Sequence, residues 1–242
     1  MATQPQRRAG TECAPREDSQ LNAADRALTF AELKSRHRRE RDAESPELSL
    51  RVHRSLSWLG RAEQSSDDRD VQFILLWVAF NAAYSQDLAI ENSQSERERL
   101  HAFLGQLCRV DEKRFESLLW HEFSGSVRVL LENRYVYQPF WDWRNGRISE
   151  ADFQRQFDGA RRAAERALGA GDTNVVLQIV FHRLYTLRNQ LVHGGATWNG
   201  EINREQVRDC ASILGRFVPL IIATLMDFPG EDWGPVHYPV VS

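Results

Sequence analysis

Between Leu48 and Leu225 the apolar residues of this chain recur every three or four positions, and nowhere do they alternate as a half-buried strand requires. That spacing confines the fold to helices packed on helices, an all-α architecture in which every apolar stripe needs a partner. The strongest segment is FILLWVAFNAAY, Phe73 to Tyr84, in a helix that begins at Val71. It carries two stripes, Val71/Ile74/Val78/Ala82 and Phe73/Trp77/Phe80/Tyr84, so it is expected to lie buried between neighbours. Asp67, Asp68 and Asp70 supply its cap and first-turn negative charge. Asn81 is a polar group in an apolar setting and needs a partner; a structural hydrogen bond and a place beside an active site are both open.

Further helices follow the same logic. Ser45-Pro46-Glu47 reads as a helix start, and Leu48, Val52, Leu56 and Leu59 line one face as far as Gly60. Leu100, Phe103, Leu104 and Leu107 mark another helix, and Phe115 to Leu131 one or two more. Ser149 to Leu168 is a surface helix closed by Gly169 and Gly171. Asn203 and Gln206 form a capping-box pattern ahead of a last helix that Pro219 should kink. Two stretches read differently. The charged segment from Asp25 to Arg41 is expected to be a solvated helix, with phosphate contact by its arginines as the alternative. Tyr135 to Asn145, YVYQPFWDWRN, reads as an aromatic loop broken by Pro139; it pins a long connection onto the body or stacks bases.

Residues 1–22 lack periodicity and are expected to be a disordered tail, leaving residues 23–242 as a single helical domain. The start has no hydrophobic core of a secretory signal, and no run of eighteen apolar residues predicts a membrane span. Three widely spaced cysteines, Cys13, Cys108 and Cys210, argue against a disulfide framework or a zinc site and point to the cytosol. A formal net charge of −3 excludes a general nucleic-acid-binding surface, so any RNA contact must be local.

Chemistry concentrates at one place. Phe181 to Gly195 reads FHRLYTLRNQLVHGG, with Asp172, Thr173 and Asn174 as caps and Gly194 and Gly195 as the stop. Val176, Val180, Leu184, Leu187 and Leu191 form its apolar stripe. Gln178, His182, Asn189 and His193 lie on the opposite side, with Tyr185 near the edge. Arg188 sits off that line. Arg and His at this spacing arise about once per chain by chance, but the added Asn189 and Gly194 make the longer pattern specific. A guanidinium grips phosphate through paired N–H donors, and an imidazole moves protons near neutral pH. Arg188, Asn189 and His193 are therefore the candidate catalytic set. His182, as a second proton carrier, Tyr185 and Asn81 are possible supports.

The Arg188-Asn189-x3-His193 pattern, with the helix at Phe73–Tyr84, resembles the HEPN superfamily (higher eukaryotes and prokaryotes nucleotide-binding). The resemblance covers these two helices, a minor part of the chain. It implies a four- or five-helix bundle that dimerises around the motif, here with a long helical insertion between core helices at about residues 85–172. It also implies a metal-independent endoribonuclease needing no cofactor, a toxin or antiviral defence effector, in whose RNA substrate the ribose 2′-hydroxyl attacks its own phosphate. RNA or a nucleotide, a second copy, and an antitoxin or regulatory protein are the expected partners. Gly195 stands where some toxin members carry a tyrosine that a partner enzyme modifies, which puts that mode of silencing in doubt. The competing expectation is a non-catalytic binding or regulatory module on the same fold.

Overall fold

A computed structural model describes residues 28–84, 95–201 and 204–236. Among the described residues the chain forms nine α-helices joined by short helical turns, and no strand. They are α1 (Phe30–Glu40), α2 (Pro46–Glu63), α3 (Arg69–Tyr84), α4 (Glu96–Ser117), α5 (Ser124–Glu132), α6 (Gln138–Arg144), α7 (Glu150–Ala170), α8 (Thr173–Val192) and α9 (Arg204–Asp227). The N-terminal tail and the Asn203 cap lie outside the described residues.

Side-chain caps fix where the helices begin, because each satisfies a backbone N–H that the helix cannot. Thr29 and Glu32 form a capping box at α1. Ser45, Asp68, Ser149 and Asp172 accept from the backbone amides of Leu48, Val71, Asp152 and Val175. Gly171, at φ +66°, closes α7 in the left-handed conformation that favours glycine. Inside α2, Gly60 continues the helix to Glu63; a Cβ there would meet the Phe30 ring at 2.9 Å, so the glycine admits α1 rather than ending α2.

Helices α2, α3, α4, α8 and α9 enclose the main core, with α1 laid against α2 and α9. Phe80 of α3 and Phe181 of α8 meet at 4.7 Å between ring centroids, and Trp77 meets Tyr185 at 6.0 Å, so the two helices pack together and run antiparallel. The N-terminal half of α3 therefore lies beside the C-terminal end of α8. Of the two α3 stripes, Phe73, Trp77, Phe80 and Tyr84 are buried as expected. The other is not sandwiched: Ile74, Val78 and Ala82 are half-buried and Val71 is exposed, because α2, α8 and α9 cover the other sides.

Three expectations need correction. The charged segment before α2 is only partly solvated: Leu33 and His37 are buried, and Arg36 pairs with Asp227 at 2.6 Å, tying α1 to the end of α9. Tyr135 to Asn145 is not a loop. Asn133 caps a 3-10 turn at Arg134–Val136, and Pro139 then sits in the first turn of α6, where its missing N–H costs nothing. Those aromatics build a satellite cluster in which Trp143 stacks on Phe153 at 5.2 Å and Phe140 meets both edge-on. The non-helical break inside a helix falls not at Pro219, which α9 runs through, but at Asp111 in α4 (φ −146°, ψ 46°). Thr224 donates to the Asp111 carboxylate at 3.0 Å, and Arg114 pairs with it. Helix α9 is long and apolar enough to cross a membrane by composition, yet 78% of its apolar window is buried within the protein. Its apolarity serves the core.

Candidate functional site

Helix α8 carries the motif because it is buried along most of its length and released at its end. Val176, Val180, Leu184 and Leu187 are buried in the core; Leu191 is half-buried, and Val192 and His193 are exposed. Gly195 N donates to the Gln190 carbonyl at 2.7 Å and Gly194 N to that of Leu191 at 3.3 Å, the two bonds of a Schellman stop, with Gly194 at φ +70°. His193 is thus the capping residue rather than a member of the last turn. Its amide donates to the Asn189 carbonyl at 3.0 Å, which fixes its backbone while the ring stays exposed.

Arg188, Asn189 and Tyr185 are brought together. Arg188 Nη1 donates to Asn189 Oδ1 at 2.9 Å, and its guanidinium carbon lies 5.8 Å from the centre of the Tyr185 ring. Arg188 Nε is buried without a partner. The Asn189 side chain also bonds the Tyr185 hydroxyl, which in turn donates to Glu96 Oε2 at 3.1 Å. Tyr84 donates to the other oxygen of Glu96 at 3.5 Å. Burial and then the Glu96 charge raise the Tyr185 phenol, and the same two causes push Tyr84 up to about 12, so both stay protonated donors. The result is a continuous polar chain, Arg188–Asn189–Tyr185–Glu96–Tyr84, along the seam between α8 and α4. Asn81 is half-buried on α3, one turn beyond Trp77, which touches Tyr185.

His182 is placed otherwise. Its Nε2 lies 2.8 Å from Nε2 of His101 on α4, so one ring donates and the other accepts, and both are neutral. Burial, and then Arg97, His101 and Arg183, lower its pKa to about 4; burial and Arg97 lower that of His101. A neutral, paired imidazole is poorly suited to supply a proton at pH 7, so the geometry gives His182 no support as the second carrier.

Glu96 and His101 had not been singled out in the sequence. Glu96 is a first-turn acid of a helix that Ser95 and Glu98 cap, an ordinary place for a carboxylate, and only the packing of α4 against α8 gives it two phenols to hold. The loop after the motif is also anchored. Trp198 Nε1 donates to Asp68 at 2.8 Å, and Asn199 N and Arg204 Nη2 both reach Asp70 Oδ2, at 3.2 and 2.6 Å. Asp70 is thus a buried ion-pair partner, beyond its first-turn charge. Cys108 and Cys210 are buried free thiols, and burial pushes Cys108 up to about 12. Among the described residues no group of three or more His, Cys, Asp or Glu could hold a metal ion. Compared with protein-family models, with the curated proteins and with the solved structures, the chain matches none.

Proposed function

We propose that this protein is a metal-independent endoribonuclease of the HEPN type, acting in the cytosol as a toxin or defence effector. In this reading Arg188 grips the scissile phosphate and Asn189 holds the guanidinium in place, while His193 takes the proton of the 2′-hydroxyl as that oxygen bonds to phosphorus and passes it to the 5′ oxygen as the P–O5′ bond breaks. The observation that carries it is the contrast at the end of α8. Arg188 is held from behind by the Asn189–Tyr185–Glu96 chain, while the His193 ring stands exposed one turn away on a backbone fixed by the glycine stop. A preorganised cation and an accessible imidazole at the same end of one helix suit transesterification, whose transition state gathers negative charge on phosphoryl oxygens while a proton leaves the 2′-hydroxyl.

A second copy completes the cleft. The half-exposed stripe of Val71, Ile74 and Val78 lies beside the motif end of α8, with exposed Val192 and with Trp198, which is 72% exposed, next to it. Apolar area of this kind is what a dimer covers. Dimerisation around it would set two Arg188–His193 pairs face to face.

Incubation of the protein with unstructured RNA in EDTA tests the reading. Cleavage to 2′,3′-cyclic phosphate ends is expected, with no cutting of DNA and none by His193→Ala. If chelator stops the reaction, or the His193 variant cuts at the wild-type rate, the reading is wrong. The net charge of −3 favours the second reading, a non-catalytic module that binds RNA or nucleotide at Arg188. Retained RNA binding without cleavage selects it.

A further inference from the structure

On another side of α8 from Arg188, a cavity of about 470 Å³ opens between α8, α7, the start of α4 and the turn leading into α6. Its size is that of a small-molecule site. Arg183 forms part of its wall and is only 3% exposed. One guanidinium nitrogen, Nη2, donates to the Leu131 carbonyl at 3.2 Å, and the group stacks 4.2 Å above the Tyr137 ring. Its Nη1 is buried with no acceptor, and no carboxylate lies within ion-pair distance of it among the described residues. Burial lowers its pKa to about 10, so it remains a cation at neutral pH. A buried cation without a counter-charge is costly, and such groups are ordinarily paired.

The remaining polar lining does not supply that pair. Asp142 is the only acid of the wall, and its Oδ1 is held by Arg147 and by Gln138, each at 3.1 Å. Arg97, at the mouth, adds a second guanidinium. His182, paired with His101, is neutral. Val136, Pro139 and Ile179 add apolar lining to the same cavity. Two guanidinium groups match a dianion better than a single carboxylate, and their planar forks suit phosphate oxygens.

We propose that this cavity binds a phosphate monoester of a flat organic body, up to mononucleotide size, with Arg183 and Arg97 on the phosphate and the apolar lining against the body. The site stands apart from Arg188 and His193, and the proposal does not rest on RNA cleavage. Titration calorimetry of the full chain with adenosine monophosphate, and with adenosine as the uncharged control, tests it. The monophosphate is expected to bind at least about tenfold more tightly than adenosine, since each charge-assisted bond contributes roughly ten- to a hundredfold. Arg183→Met keeps an unbranched apolar stem but removes the guanidinium, and should remove that advantage. Ala160→Phe, on the half-buried face of α7 that lines the cavity, leaves both arginines in place and should abolish binding by filling the space. Equal affinity for adenosine and its monophosphate, or unchanged affinity in Ala160→Phe with native helicity, would overturn the proposal.

Discussion

Arg183 and Arg188 sit five residues apart on α8, about 140° round the same helix, and they differ in how far the rest of the chain encloses them. Arg183 is buried, stacked on Tyr137 and without an acceptor for one of its nitrogens. Arg188 is half-buried, five residues before the exposed His193; its Nη1 donates to the neighbouring Asn189, and its Nε, too, is buried without a partner. What separates them is what covers the helix. The α5–α7 flank with its aromatic cluster closes over the first, while Val192 and His193 at the end of α8 stay exposed. A guanidinium offers the same donors in both places, so enclosure decides whether its charge is trapped or left within reach of a ligand.

Kinetics draws this contrast most sharply. Arg188→Ala and His193→Ala are each expected to lower RNA cleavage by about 10²–10⁴-fold, the usual loss for a positioned acid–base or charge-stabilising group. Their thermal midpoints should match wild type. Arg183→Ala should do the reverse: about 3 kcal/mol less stability in urea unfolding, from the cavity and the orphaned Leu131 carbonyl, with cleavage intact below the transition. If Arg183→Ala is as stable as wild type, the side chain is not the packed element described here.

Acid titration reaches the same side of α8 more gently. His182 has its folded pKa lowered to about 4 from an unfolded value of 6.5, with Arg97, His101 and Arg183 facing it. A base depressed in this way leaves the unfolded chain holding more protons between those values. The stability it contributes is complete above pH 6.5 and is lost as pH falls toward 4. After allowance for partial exposure the loss is about 2 kcal/mol. Urea unfolding of wild type and His182→Phe at pH 7 and pH 4.5 should show a smaller acid loss in the variant; equal losses would remove His182 as the cause. The smallest effect concerns the seam. Tyr185→Phe deletes the bond to Glu96 and should cost about 1 kcal/mol, and a cycle with Glu96→Gln should show coupling of about 0.5 kcal/mol. Strict additivity would mean the bond is not formed in solution.

The same pair of arginines shows how far sequence reading reaches. The apolar stripes of α2, α3, α8 and α9 were legible because period and burial agree along them, and Ser45, Asp68, Ser149 and Asp172 marked the starts because caps act locally. Arg188, Asn189 and His193 stood out because their spacing is itself the signal. Arg183 was invisible: a charged residue next to His182 reads as surface, and only tertiary cover from α5–α7 turns it inward. His101 lay hidden for the same reason in a charged stretch of α4. Pro139 carries two meanings, break or beginning, and only what the chain does after it, seven residues of α6, chose between them. The half-open stripe of α3 is the converse case, since apolar periodicity reports a need for cover and not that the same chain provides it.

The break at Asp111 gives α4 a consequence beyond its shape. Ahead of it, one uninterrupted segment carries Glu96 to Tyr185, Arg97 to the wall of the cavity and His101 to His182. Behind it, Arg114 is moored to Asp227 of α9 at 2.5 Å. Leu100, Phe103, Leu104 and Leu107 seat this segment in the core, and its first two turns touch both sides of α8. A tilt that shifts Arg97 must also shift Glu96, one residue away on the same rigid rod. One helix segment therefore shapes the surroundings of Arg183 and of Arg188 together.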